Sequence, residues 1–282
     1  MHPHFPELIA SFLERSNAAA ALPGVQLDVA YGEHERQRLD IFPTQQAAQG
    51  VMLYLHAGYW QSRDKSFFRW LAPAFNARGL HVVFANYPLC PSVTLAQLME
   101  QLSPALAAAH GARAAWQQLP FVVAGHSAGA HLATEFALRQ KNAEPIEGTN
   151  EEAKKAARIN GVFAISGIYD LRPLVHTTLN QRLNLSAADA AELSPLLHPQ
   201  KAQPPAVWLV GCQETPEFLR QNRSMHEAWL AQGNPSHCVE EAGTDHFTIL
   251  PHWTQPEGEL AKVWNAWWQQ VLEHHQRHLS KT

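Results

Sequence analysis

The sequence predicts an α/β domain: a mostly parallel central sheet, helices on both faces and a small cap-like insertion. Three observations carry this. Short apolar runs alternate with helical stretches along the 282 residues. One run, Val51-Met52-Leu53-Tyr54-Leu55, is continuous, as in a central strand covered on both faces. Another, Phe121 to Ala124, leads through a glycine-flanked serine into a helical segment from Ala130 to Gln140. No repeat or long linker divides the chain, so one domain over 1–282 is expected.

In chain order, Val25 to Ala30 and Arg38 to Phe42 read as edge strands joined by the polar turn Gly32-Glu33-His34. After the central strand, Ser66 to Arg78 has helical spacing through Phe67, Trp70, Leu71, Ala74 and Phe75, and Gly79 ends it. His81 to Ala85 is the next strand, and Val93 to Gln118 supplies helix interrupted near Pro104 and Gly111. The polar stretch 141–158 reads as a solvated surface insertion, helical in its second half. Ile159 to Ile165, Ala206 to Val210 and His237 to Glu240 complete the strands, and Gln255 to His278 closes the chain as a helix. Segment 170–203 breaks the alternation, with Pro173, Pro195 and Pro199 and a short helix near Ala187. Leaving the carboxyl edge of the sheet, where ligands of such folds bind, it reads as a cap.

Composition narrows the function classes. Hydrophobic residues make up 46% and charged residues 16%, which fits a globular chain with a substantial core. A net charge of −4 and the lack of a dense basic run argue against nucleic acid or an anionic membrane as partner. Cys90, Cys212 and Cys238 are few and out of metal spacing, so reduced thiols in a cytoplasmic protein are expected. The chain start lacks a secretory pattern, and no apolar run approaches the roughly 18 residues of a membrane span. No phosphate loop, dinucleotide fingerprint or metal-ligand set is present, so neither cofactor nor metal is expected. The expected partner is a small aromatic molecule; a homo-oligomer stays open.

The chemistry concentrates at Gly125-His126-Ser127-Ala128-Gly129. A serine with glycines at i−2 and i+2, on a sharp strand-to-helix turn, is the nucleophile turn of α/β hydrolases. A serine hydroxyl is a poor nucleophile at neutral pH and needs a base, which in turn needs an orienting acid. The chain order Ser, acid, His selects His246 among the 17 histidines, in a loop between the last strand and the last helix, with His252 in reserve. Glu214, just past the strand that ends at Val210, is the acid chosen; Glu217 lies close by, and Asp170 is the alternative. Asp245 reads as a turn residue. Oxyanion donors are expected from the N–H of Ala128 and from the loop His56-Ala57-Gly58-Tyr59-Trp60, through Gly58 or Tyr59. Tyr59, Trp60, Tyr169 and Phe247 are the candidates to line an aromatic substrate pocket.

Several segments together resemble the α/β-hydrolase type of kynurenine formamidase (arylformamidase). His56 to Trp60 resembles its H-G-G-x-W oxyanion motif, and Gly125 to His131 its G-H-S-A-G-A-H. Ser166 to Leu171 is similar to its S-G-x-x-D-L stretch, and Leu193-Ser194-Pro195 to its L-S-P element. Glu214 to Phe218, and Asp245-His246-Phe247, resemble the segments bearing its acid and base. Two departures stand out: Ala57 replaces the first oxyanion glycine, and Glu214 stands where some members carry aspartate. The resemblance implies hydrolysis of N-formyl-L-kynurenine to formate and kynurenine. The residues alone fit equally a short-chain carboxylesterase or, more remotely, a non-catalytic binding module.

Overall fold

The computed structural model describes residues 5–140 and 158–279; the expected 141–158 insertion lies outside the described residues apart from Arg158. The strands are β1 (Gln26–Ala30), β2 (Arg38–Phe42), β3 (Gly50–Leu55), β4 (Leu80–Ala85), β5 (Phe121–His126), β6 (Ile159–Ile165), β7 (Ala206–Gly211) and β8 (Ser236–Glu241). They form one sheet in the order β1-β2-β4-β3-β5-β6-β7-β8. β1 and β2 pair antiparallel with each other, as do β2 and β4; the remaining pairings are parallel.

The apolar runs explain both layers. Every side chain of β3 is buried, and successive ones face opposite sides of the sheet. Val51, Leu53 and Leu55 enter one core with Val123 and Leu132, whereas Met52 and Tyr54 enter the other with Val122, Phe163 and Trp267. The helices covering these faces include α1 (Phe5–Ala20), α2 (Ala72–Asn76), α3 (Leu95–Leu102), α4 (Pro104–His110) and α5 (Ala128–Arg139). Further on come α6 (Asn180–Leu183), α7 (Ala187–Glu192), α8 (Pro216–Ala231), α9 (Ile249–Trp253) and α10 (Glu259–Leu279). Two features differ from the sequence reading. α1, α6, α8 and α9 have no counterpart there. The expected helix over 66–78 is instead two 3₁₀ turns, Lys65–Phe67 and Arg69–Leu71, followed by the short α2. Pro73 accounts for the break: it lacks an N–H and is tolerated only in a helix's first turn, where it sits.

The chain moves from β3 outward to β4, then returns to β5 on the other side of β3. Strand order therefore reverses between β3 and β5, and their carboxyl ends open the crevice where α/β sheets bind ligands. The loop 56–60 and Ser127 leave from those two ends.

Close packing at this point explains the glycines around Ser127. A Cβ on Gly129 would lie 1.9 Å from the Leu55 carbonyl oxygen, and one on Gly125 would lie 2.2 Å from the Gly129 carbonyl oxygen. Only bare backbones let α5 seat against the end of β3. Gly129→Ala is expected to destabilise the fold by about 3 kcal/mol, the upper range for overpacking. Urea denaturation would measure this; an unchanged midpoint would refute the close-approach account.

Candidate active site

Ser127 sits between β5 and α5 at φ +58°, ψ −118°, and is 1% exposed. An L-residue adopts this conformation at a cost of roughly 1–3 kcal/mol, which persists only where the surroundings enforce it. Ile165 O accepts the Ser127 N–H at 2.8 Å, which anchors the turn to β6. Ala128 is the first residue of α5, so its N–H is one of the helix's unpaired donors at the positive end of the helix dipole.

His246 and Glu214 come together from loops after β8 and β7. The His246 Nδ1–H donates to Glu214 Oε2 at 2.6 Å. The opposite oxygen, Oε1, accepts from Ser166 Oγ at 2.5 Å and from the Gly211 N–H at 3.0 Å. The Glu214 side chain is 1% exposed, while that of His246 is 23% exposed and so still meets solvent. Three aromatic rings surround His246: His126 at 4.5 Å, Phe218 at 4.8 Å and Phe247 at 5.3 Å between centroids. Since His126 precedes Ser127, this packing seats His246 beside the turn that carries Ser127.

The neighbouring histidines are unsuited to proton transfer. Burial pushes His56 and His131 down to about 4, and pushes His126, whose ring also faces His246, well below its ordinary value. His56 donates to Ala57 O at 2.8 Å and His131 to Leu193 O at 2.8 Å, so both serve as neutral structural ties. His252 pairs with Glu241 at 3.0 Å instead of with the site.

The loop after β3 is strained. Gly58, Tyr59 and Trp60 have φ of +133°, +50° and +60° in succession. At Gly58 a Cβ would lie 2.1 Å from Ser62 O. Its own carbonyl accepts from the N–H groups of Gln61 and Ser62, which closes the turn. Tyr87 OH donates to His56 O at 2.7 Å, and the Tyr87 ring stacks on His56 at 4.3 Å, bracing the strand exit from below. The segment after β6 is tied to the same turn, since Gln61 Nε2 donates to Leu179 O at 3.0 Å. Several ties thus hold this loop in rare backbone conformations at the carboxyl end of β3.

Residues 52–250 match a family described as having the alpha/beta hydrolase fold. The chain belongs to this family. The kynurenine formamidase of Danio rerio is 27% identical over 280 residues, 92% of this hydrolase and 90% of the relative. That of Salmo salar is 28% identical over 267 residues, 90% and 86% of the two chains. A crystal structure from Silicibacter sp. TM1040, of a protein whose thioesterase name is provisional, superposes with a TM-score of 0.75 at 30% identity, over 92% and 91% of the chains. Esterase 2 of Thermogutta terrifontis shares the fold at a TM-score of 0.63 and 20% identity, over 92% of each chain.

Geometry separates the acids that the sequence left open in this hydrolase. Asp170 is paired with arginines and not with His246: both its oxygens accept from Arg172, at 2.9 Å each, and Arg220 lies 4.0 Å away. The hydrogen bond from Arg172 lowers its pKa. Glu217 is engaged by Arg220 and by Gln221. Asp245 accepts from the N–H groups of Phe247 and Thr248, a turn contact at the start of α9. Asp170→Asn is therefore expected to change kcat by less than about threefold, since its buried carboxylate is held by Arg172 and Arg220 and makes no bond to His246. Steady-state kinetics of that variant would check this, and a hundredfold loss would make Asp170 the acid after all.

Two aromatic expectations are corrected. Trp60 and Tyr169 are both 0% exposed: Trp60 packs edge-on to His131 at 5.1 Å, and Tyr169 edge-on to Trp208 at 5.2 Å. With no accessible surface they fill the core beneath the site. Tyr59 and Phe247 are half-buried and keep open surface at the site; burial, then the Glu214 charge, raises the Tyr59 pKa. Phe218, which the sequence reading passed over, joins them from the first turns of α8. The family motif extends through it, but nothing in the sequence shows that its ring turns toward the base.

Proposed function

We propose that this hydrolase cleaves the aryl formamide of N-formyl-L-kynurenine, releasing formate and L-kynurenine through a formyl-enzyme on Ser127. The observation that carries this is the pairing of His246 with a buried Glu214 beside the strained serine, in a chain similar along nine-tenths of its length to two kynurenine formamidases. Ser127 Oγ attacks the formyl carbon as its proton passes to His246 Nε2, whose ring Glu214 holds in the required tautomer. The oxyanion accepts from the N–H of Ala128 and of Gly58 or Tyr59, each donor supplying about 3–4 kcal/mol. When the carbon–nitrogen bond breaks, His246 returns the proton to the arylamine nitrogen. Water then attacks the formyl ester with His246 as base, and formate and the serine hydroxyl are released.

The partner is in this reading a small aromatic molecule, with Tyr59, Phe218 and Phe247 as the surfaces for its ring, and segment 170–203 as a cap over it. The free thiols Cys90, Cys212 and Cys238 fit a reducing compartment such as the cytoplasm. Among the described residues, no helix is long and apolar enough to cross a membrane.

The test is selectivity. kcat/KM on N-formyl-L-kynurenine is expected to exceed that on p-nitrophenyl acetate and butyrate by at least about 100-fold, since a formamide is intrinsically the less reactive group and only fitted binding reverses the order. Faster turnover of the esters would make this a short-chain carboxylesterase with the same triad. Ala57, whose methyl replaces a hydrogen at the oxyanion loop, would then be the first residue to revert to glycine.

A further inference from the structure

We infer that Ser166 is a positioning residue whose hydroxyl, together with the Gly211 amide, clamps one oxygen of Glu214 and thereby aims the other at His246. The inference rests on the triad reading above. A glutamate carries one more torsion than an aspartate, so its carboxylate needs more restraint to hold an imidazole in one orientation. Here the restraint is visible: Oε1 accepts two hydrogen bonds, at 2.5 and 3.0 Å, and Oε2 is left to His246 at 2.6 Å.

Ser166 is built for this contact. It follows β6 immediately, is 1% exposed, and its N–H donates to Leu209 O of β7 at 2.7 Å. Its φ is +50°, a conformation glycine adopts without steric cost and serine does not. A hydroxyl is thus kept where the backbone alone would favour glycine, and that hydroxyl donates to the buried acid. β6 is the strand between the nucleophile strand and the acid strand. Ser166 therefore links the two halves of the machinery, since Ile165 O, one residue before it, accepts the Ser127 N–H.

The backbone conformation supplies a clean test. Ser166→Gly removes the hydroxyl and relieves the positive φ, so thermal stability should hold or rise while the acid loses its clamp. With p-nitrophenyl acetate as substrate, kcat should fall about 10- to 100-fold, the value of one hydrogen bond to a charged group, with KM within about twofold. The rate at which a fluorophosphonate labels Ser127 should fall by a similar factor. In a Glu214→Ala background the same substitution should cost less than about twofold, because the group it acts through is gone. Wild-type labelling rates in Ser166→Gly, or an equal loss in the Glu214→Ala background, would overturn the inference. If Glu214→Ala itself left labelling unchanged, the triad reading would fail instead.

Discussion

Ser127→Ala is expected to lower kcat on the order of 10⁶-fold and to abolish fluorophosphonate labelling, with KM for any substrate that still binds nearly unchanged. The size follows from what remains. The oxyanion donors at Ala128 and Gly58 or Tyr59 stay in place, so some acceleration over water survives, but no covalent intermediate can form. The fold should be indifferent to the change. Alanine keeps the Cβ at the same φ of +58°, and the Ser127 N–H to Ile165 O is a backbone bond. Thermal unfolding within a few degrees of wild type would separate a chemical loss from a structural one. A variant retaining one per cent of turnover would show that the reaction does not pass through this serine.

Glu214→Ala should cost about 10⁴-fold in kcat, less than the nucleophile and far more than any other acid in the region. In the proposed mechanism its carboxylate fixes the imidazole so that Nδ1 carries the proton and Nε2 is left to take the serine's, and it stabilises the imidazolium as that forms. Loss of the side chain also leaves buried donors on Ser166 and Gly211 without an acceptor, a cost of about 1–3 kcal/mol each in stability. Glu214→Ala should therefore be both less active and less stable, in contrast with Ser127→Ala. Parallel kinetics and urea unfolding of the two variants would show the difference. Equal activity for Glu214→Ala and wild type would remove the acid from the account.

The strands were legible because fully buried parallel strands leave continuous apolar runs: Val51 to Leu55 and Phe121 to Ala124 need no tertiary information to be read. The nucleophile turn was legible because close packing of α5 on β5 and β3 admits only glycine at 125 and 129 respectively. The acid was not separable in sequence. Glu214, Glu217 and Asp170 all lie just beyond strand ends, and only placement shows that arginines occupy the latter two. Aromatic residues at strand exits were ambiguous for a similar reason. Trp60 and Tyr169 turn inward while Tyr59 and Phe247 stay half-exposed, a matter of side-chain direction within a bent loop. Ser166 was visible only as the first residue of the S-G-x-x-D-L stretch; its contact with Glu214 was not, because a positive φ on a non-glycine residue is imposed by the surroundings. The helix α1 was missed although Leu8, Ile9, Phe12 and Ala19 follow a helical spacing along its inner side.

The most direct test of the central claim is to incubate the purified protein with N-formyl-L-kynurenine and measure formate and free arylamine together, with fluorophosphonate labelling of Ser127 run on the same preparation. The account predicts saturable release of the two products in a one-to-one ratio, with kcat/KM of about 10⁴ M⁻¹s⁻¹ or higher, the ordinary range for an enzyme on its own substrate. It also predicts that both signals vanish in Ser127→Ala. Labelling at Ser127 without any formate release would leave a competent serine hydrolase and contradict the formamidase reading.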